Sequence, residues 1–277
     1  MTEAGGSRLI AAFARARSEA RAVLVGYLPA GYPTAAGAVA ALRAMADAGV
    51  DVVEVGLPYS DPLMDGPTIQ QAVDAALRAG TTTVDVLRTV EKVASAKTPA
   101  VVMSYWNPIA RYGPDRFARE LAAAGGSGVV TPDLIPDEAT EWLPAARGHG
   151  LDTVFLVAPS STDERIALTV EACRGFVYAA STMGVTGARA RVSDAAATLV
   201  ARTRAATTLP VAVGLGVSTR NQAAEVASFA DGVVVGSAFV RRLLDADGEA
   251  SGVSAVAELA GELAGGVRQA GNRFAGR

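Results

Sequence analysis

The amino-acid sequence predicts an α/β fold, a single (β/α)8 TIM barrel with an extra N-terminal helix, on three observations. Short β-branched runs recur eight times, each is followed by an Ala/Leu/Arg stretch of helical period, and the 277 residues show no break in composition. Eight βα units in about 250 residues fill a barrel, whereas a doubly wound sheet more often uses fewer strands. One domain is therefore expected over residues 1–277, with the barrel proper at about 20–268.

The expected strands are Val23–Leu28, Asp51–Gly56, Ala100–Tyr105, Gly128–Thr131, Thr153–Val157, Phe176–Ala180, Val211–Gly214 and Gly232–Gly236. Val101-Val102-Met103 and Val233-Val234-Val235 are nearly continuous apolar runs, the pattern of parallel strands buried on both faces. Helices are expected at 35–48, 68–80, 83–95, 114–124, 137–148, 163–172, 193–206, 219–229 and 253–268. Before the first strand, Leu9, Ile10, Phe13 and Ala16 fall at helical spacing among Arg8, Arg15, Arg17 and Arg21. Glu3 and Glu19 oppose a transit peptide, which is acid-poor, so an amphipathic helix closing one end of the core is expected.

Half of the residues are apolar and 19% are charged, a composition that packs a core and excludes a largely disordered chain. No run reaches the ~18 apolar residues of a membrane span, since even the Ala-rich stretch 35–48 carries Arg43 and Asp47. A formal charge of -3 opposes a role in wrapping nucleic acid. Cys173 is the one cysteine, which permits no internal disulfide and no cysteine-based metal cage and fits a cytoplasmic protein. His149, the one histidine, lies between two glycines and reads as a turn residue. The two lysines, Lys92 and Lys97, lie in or just after a helix, which argues against a Schiff-base aldolase. With one histidine, a clustered metal site is also unexpected, and no cofactor is implied. Carboxylate acid/base chemistry on a phosphorylated substrate remains.

On a barrel of this kind, chemistry belongs at the C-terminal ends of the strands. Glu54 lies inside the second strand between Val53 and Val55, so desolvation should raise its pKa towards neutrality. An equally open reading is a buried Glu held by an Arg or by backbone donors. Asp65 ends a loop with three prolines, Pro58, Pro62 and Pro67; it reads either as a second functional carboxylate or as a turn residue capping the next helix. Asp61, before Pro62, has the same two readings. Gly214-Leu215-Gly216 after strand seven and Gly236-Ser237 after strand eight suit a phosphate held by backbone N–H groups, or simply tight turns. Ser181 to Arg189 contains Gly184 and Gly187 in a polar loop, a lid that could add Thr186 and Gly187 to the phosphate site, or an ordinary surface loop.

Taken together, these motifs resemble the alpha subunit of tryptophan synthase. Glu54 to Gln70 is similar to its signature segment almost residue for residue, and Gly31-Tyr32-Pro33, Gly184-Val185-Thr186-Gly187, Gly214-Leu215-Gly216 and Gly236-Ser237 follow in the family's order, from about Ile10 to Ala264. The resemblance implies retro-aldol cleavage of indole-3-glycerol phosphate to indole and glyceraldehyde 3-phosphate, without metal or organic cofactor. It makes Glu54 the acid/base and Asp65 the carboxylate that holds the indole N–H. It places Tyr27, Ile69, Tyr105 and Tyr178 around the indole, and Thr186, Gly187, Gly216, Gly236 and Ser237 around the phosphate. It also implies a pyridoxal-phosphate-dependent beta subunit as partner in an α2β2 heterotetramer, meeting Pro58, Asp61, Asn107-Pro108 and Pro136. Two alternatives stand beside it: a stand-alone indole-releasing lyase, and a mainly regulatory subunit, which intact Glu54 and Asp65 disfavour. The segment Thr131 to Pro136 is one residue longer than in some members of the family.

Overall fold

Eight parallel strands hydrogen-bond in chain order and the eighth closes on the first. They are β1 (Val23–Pro29), β2 (Val52–Gly56), β3 (Ala100–Met103), β4 (Gly128–Thr131), β5 (Asp152–Val157), β6 (Val177–Ala180), β7 (Val211–Gly214) and β8 (Gly232–Val235). This is a computed structural model of the chain, and it describes residues 6–95, 97–181 and 189–269. The surrounding helices are α1 (Arg8–Ser18), α2 (Ala35–Asp47), α3 (Pro67–Arg78), α4 (Thr83–Val93), α5 (Trp106–Tyr112), α6 (Pro114–Ala123), α7 (Trp142–Gly148), α8 (Asp163–Ala172), α9 (Arg189–Ala206), α10 (Arg220–Ala227), α11 (Ser237–Leu244) and α12 (Glu249–Gln269). Among the described residues, no helix is long and apolar enough to cross a membrane.

The two-residue period of a strand divides each one between two cores. Leu24 and Leu28 of β1 and Val53 and Val55 of β2 face the helices, in the layer that also buries Leu42, Val86 and Phe239. Val23, Val25, Val52, Val101, Val130, Val154 and Phe176 turn the other way and fill the barrel's lower interior. Helix α1 plugs that lower end with Leu9, Ala12, Phe13 and Ala16, its Phe13 ring 5.5 Å from the Phe176 ring. An 11-residue helix is too short to be stable alone, so this packing holds it in place. Ile10, expected on the same face, is 38% exposed, because only positions 9, 12, 13 and 16 share the buried stripe.

Where α1 ends, the Arg21 guanidinium donates to both Asp51 carboxylate oxygens at 2.7 and 2.9 Å, and Leu24 N donates to the same carboxylate. Both side chains are buried, and Arg21 also donates to Glu19 and to the Ala22 carbonyl, which makes the burial tolerable.

Helices α9 and α12 each begin four residues before the helices expected there, and three further departures lie between β3 and α7. Strand β3 stops at Met103, two residues early, because the chain leaves the sheet at Ser104 to enter α5. Helix α5 itself was not among the expected helices; its Pro108 is the third residue of the helix, where the missing N–H breaks no intrahelical bond. The helix expected over 137–148 is a single 3-10 turn at Pro136–Glu138, then α7, in which Pro144 is likewise the third residue.

Candidate active site

The same alternation that fills the lower barrel sets the upper layer. Tyr27 continues the inward series Val23, Val25 on β1, and Glu54 continues Val52 on β2, with Tyr27 paired directly to Glu54 in the parallel register. Above them opens a cavity of about 240 Å³ at the C-terminal ends of the strands. Tyr27, Glu54, Asp65, Ile69 and Tyr178 line one part of it, and Gly214, Gly216, Gly236 and Ser237 the other. Four of the eleven residues expected in the site thus meet at its aromatic end with Glu54, and three at its glycine end. Thr186 and Gly187 lie outside the described residues.

Glu54 is 3% exposed, and its Oε2 has no hydrogen-bond partner among the described residues. Burial, and then the nearby charge of Asp65, push its pKa up to about 8. Among the described residues no arginine pairs with it, so the reading of Glu54 as an ion-paired core residue does not describe their geometry. A carboxyl poised there can release and recover a proton at neutral pH.

Asp65 reaches the cavity from the loop between β2 and α3. It does not cap α3: Gly66 occupies the cap position and no side chain bonds there. Instead, the Tyr105 hydroxyl donates to Asp65 Oδ1 at 3.1 Å and accepts from Met64 N at 2.9 Å. Gln70 Nε2 donates to the Asp65 carbonyl at 2.7 Å. Burial raises the Asp65 pKa, and the Tyr105 hydrogen bond, which favours the carboxylate, opposes that rise. Asp61, by contrast, is exposed and accepts from its neighbour Ser60.

Two glycines make room for the phenols. A Cβ on Gly56 would lie well inside contact distance of the Tyr27 hydroxyl and ring, and one on Gly214 would do the same to Tyr178. Burial first, then the charges of Asp65 and Glu54, raise the Tyr27 pKa well above its ordinary value; burial and Glu54 do so for Tyr178. Both phenols are therefore protonated donors at any working pH. Tyr105 is different. It is 2% exposed and hydrogen-bonded to Asp65, with its own pKa pushed up to about 12, and it does not line the cavity itself.

At the other end, Gly216 has a φ of +69°, a left-handed conformation that suits glycine, and Gly236 is the N-cap of α11. The first N–H groups of α11 and its dipole face the cavity through Gly236 and Ser237, an arrangement that suits an anion.

Met103, Val130, Pro132 and Leu156 also line the cavity and were not singled out in the sequence. Strand alternation carried the signal: Met103 is two residues past inward Val101, and Leu156 two past inward Val154. Asp133, on the longer segment after β4, also escaped notice. Its carboxylate accepts from Trp106 N at 2.9 and 3.2 Å and so caps α5 from a neighbouring loop.

A family model described as tryptophan synthase alpha chain matches residues 13–268. The tryptophan synthase alpha chain of Acidothermus cellulolyticus is 62% identical over 258 residues, covering 93% of this chain and 96% of its own length. That of Salinispora tropica is 62% identical over 262 residues, covering 95% and 98%. Among solved structures, a chain of Mycobacterium tuberculosis tryptophan synthase, 56% identical, superposes with a TM-score of 0.88 over 95% of this chain and 99% of that one. The tryptophan synthase alpha subunit of Legionella pneumophila, 31% identical, does so with a TM-score of 0.85 over 97% and 99%. With a buried, proton-holding Glu54 and a second carboxyl at Asp65 sharing one barrel mouth, and with these matches spanning nearly its whole length, the chain belongs to the tryptophan synthase alpha chain family.

Proposed function

We propose that this chain, acting as one barrel domain, cleaves indole-3-glycerol phosphate to indole and glyceraldehyde 3-phosphate in the cavity above Glu54. It is a carbon–carbon lyase of tryptophan biosynthesis. The observation that carries the reading is the Glu54 carboxyl, buried with its Oε2 unpartnered among the described residues and holding its proton up to about pH 8 beside a second carboxyl, Asp65.

Protonated Glu54 gives its proton to indole C3, and positive charge develops on the ring nitrogen. The Asp65 carboxylate accepts the indole N–H and balances that charge. The Glu54 carboxylate then takes the proton of the side-chain hydroxyl on the carbon bonded to C3. As that O–H bond becomes the aldehyde carbonyl, the C3–C bond breaks and its electron pair restores the aromatic ring. Glu54 ends protonated, as it began, so the cycle consumes no further proton. Tyr27, Ile69 and Tyr178 flank the indole. Gly216, Gly236 and Ser237 hold the phosphate, Thr186 and Gly187 between β6 and β7 in sequence join them in this reading, and remote binding at that end fixes the reacting end in place.

The partner is a tryptophan synthase beta subunit in an α2β2 heterotetramer in the cytoplasm. A groove lined by Tyr59, Asp61, Asn107, Pro108 and Arg111 opens on the outer side of the Asp65 loop and supports docking there. Partner contact at that groove would order the loop and raise turnover. Steady-state indole formation from indole-3-glycerol phosphate, measured alone and with saturating beta subunit, tests the reading. Slow release alone and substantial activation by the partner are expected. Equal rates would make the chain a stand-alone lyase, and no release in either case would overturn the assignment.

A further inference from the structure

The loop that carries Asp65 is anchored at its ends: Leu57 N donates to Met103 O at 2.9 Å, and Gly66 begins α3. Between them Leu63 projects outward, 78% exposed, while Met64, 51% exposed, lines the mouth of the cavity. Among the described residues, two hydrogen bonds tie positions 58–64 to the rest of the barrel. Met64 N donates to the Tyr105 hydroxyl, and Asn107 Nδ2 donates to the Tyr59 hydroxyl at 3.1 Å. The two tyrosines are themselves in contact, with ring centroids 5.5 Å apart and planes at 38°. Asn107 is held in turn, because α5 starts on the N–H that Asp133 caps.

We propose that Tyr59 is a positioning residue for Asp65, acting through Tyr105: its hydroxyl, fixed by Asn107, sets the ring against which Tyr105 rests, and Tyr105 presents its hydroxyl to the Asp65 carboxylate. The proposal rests on the reading of Asp65 as the charge-balancing carboxylate. Tyr59 touches no substrate in this account. The geometry explains why a loop with an exposed tip can still present a carboxylate to a buried one: the loop borrows the rigidity of α5. It also joins the outer groove, which Tyr59 and Asn107 line, to the cavity, which Asp65 lines.

The test is a double-mutant cycle on Tyr59→Phe and Tyr105→Phe in the full chain. Both keep the ring and remove one hydroxyl, and Tyr59 is only half-buried, so folding is retained. Tyr59→Phe is expected to lower kcat about 3- to 10-fold, the usual scale for losing one hydrogen bond, with KM for indole-3-glycerol phosphate changed less than about twofold. In the Tyr105→Phe background the same substitution is expected to add less than about twofold, because the path is already cut. Fully additive losses, or a loss confined to KM, would overturn the proposal.

A second readout is independent of turnover. The ionisation of Asp65, followed by carbon-13 NMR of its carboxyl group, senses the Tyr105 hydroxyl together with the other titrating groups that face it, Glu54 and Tyr27. Both substitutions are expected to move it upward, Tyr59→Phe by less. An unchanged titration in Tyr59→Phe overturns the positioning role whatever the kinetics. A shifted titration in a chain that releases no indole would overturn the functional reading and leave the positioning role standing.

Discussion

Tyr27 and Glu54 face each other across the β1–β2 register, and the Tyr27 phenol lies over Gly56, two residues beyond Glu54 on the same strand. Position 56 on β2 must therefore lack a side chain. Gly56→Ala is expected to destabilise the fold by about 1–3 kcal/mol, the usual cost of overpacking, and to raise KM by displacing the phenol. Denaturant unfolding checks the first effect. The sharper check is the Tyr27→Ala background, where the space exists and the penalty of Gly56→Ala should largely disappear. A penalty that persists there would mean that the backbone at Gly56, not the phenol, sets the requirement. Gly214→Ala with Tyr178→Ala should behave in the same way, since Tyr178 lies over Gly214.

Glu54→Gln keeps the shape of the side chain and removes its proton. Turnover should fall at least ~10²-fold, with phosphate-ligand binding retained; a variant that keeps most of the wild-type rate would exclude Glu54 as the acid/base. In the wild type, kcat should decline as pH rises through about 8, where Glu54 loses the proton that opens the reaction.

The same substitution has a stability signature. In the unfolded chain Glu54 ionises near its ordinary value of 4.5, whereas in the folded chain it keeps its proton to about 8. The folded state thus binds more protons across that window, and wild-type stability falls as pH rises through it. Gln carries no such linkage. Glu54→Gln should therefore gain stability relative to wild type between pH 4.5 and 8 and hold that gain above. Each pKa unit is worth about 1.4 kcal/mol, so the shift from 4.5 to about 8 corresponds to roughly 5 kcal/mol and to a Tm difference on the order of 10 °C at pH 9. A Tm difference that does not change between pH 4.5 and 9 would mean that Glu54 is ionised in the folded protein.

Much of this was legible in the sequence because strands and carboxyls announce themselves locally. The Val-Glu-Val run of β2 is enough to bury Glu54, and all eight strands lie within two residues of their expected ends. The two helices that were misjudged both hold a proline early: Pro108 and Pro144 are each the third residue of their helix, where no intrahelical acceptor waits for the N–H they lack. What secures α5 is the Asp133 carboxylate, 27 positions away, and no local pattern announces it. Tyr105 was harder still. Its place depends on how the Asp65 loop folds back over β3, so only the closed barrel shows that its hydroxyl meets a carboxylate rather than a substrate ring.

The glycine end offers an independent test. A Cβ at Gly236 would lie 3.2 Å from Tyr27 Cδ1, tight but bearable, whereas the branched side chain of Gly236→Val would also crowd the start of α11. Affinity for glycerol phosphate is expected to fall roughly tenfold or more, since hydrogen bonds to a charged group contribute ~1.5–3 kcal/mol each. The measurement belongs in variants whose circular dichroism matches wild type. Unchanged affinity would move the phosphate away from β8.

Asp65→Asn separates charge from shape. An asparagine carbonyl oxygen can still accept from the Tyr105 hydroxyl and from an indole N–H, so the loop and the bound substrate should keep their places. What it lacks is the negative charge that balances the ring when C3 is protonated, and that charge matters in the transition state more than in the ground state. The loss should therefore fall on kcat, by about 10²-fold, with KM within a few-fold of wild type. Removing the charge also relieves Glu54, whose pKa Asp65 helps to raise, so the decline of the residual activity at high pH should begin lower than in wild type. A change confined to KM would make Asp65 a binding residue; a kcat loss without movement of the alkaline limb would show that the two carboxyls do not sense one another.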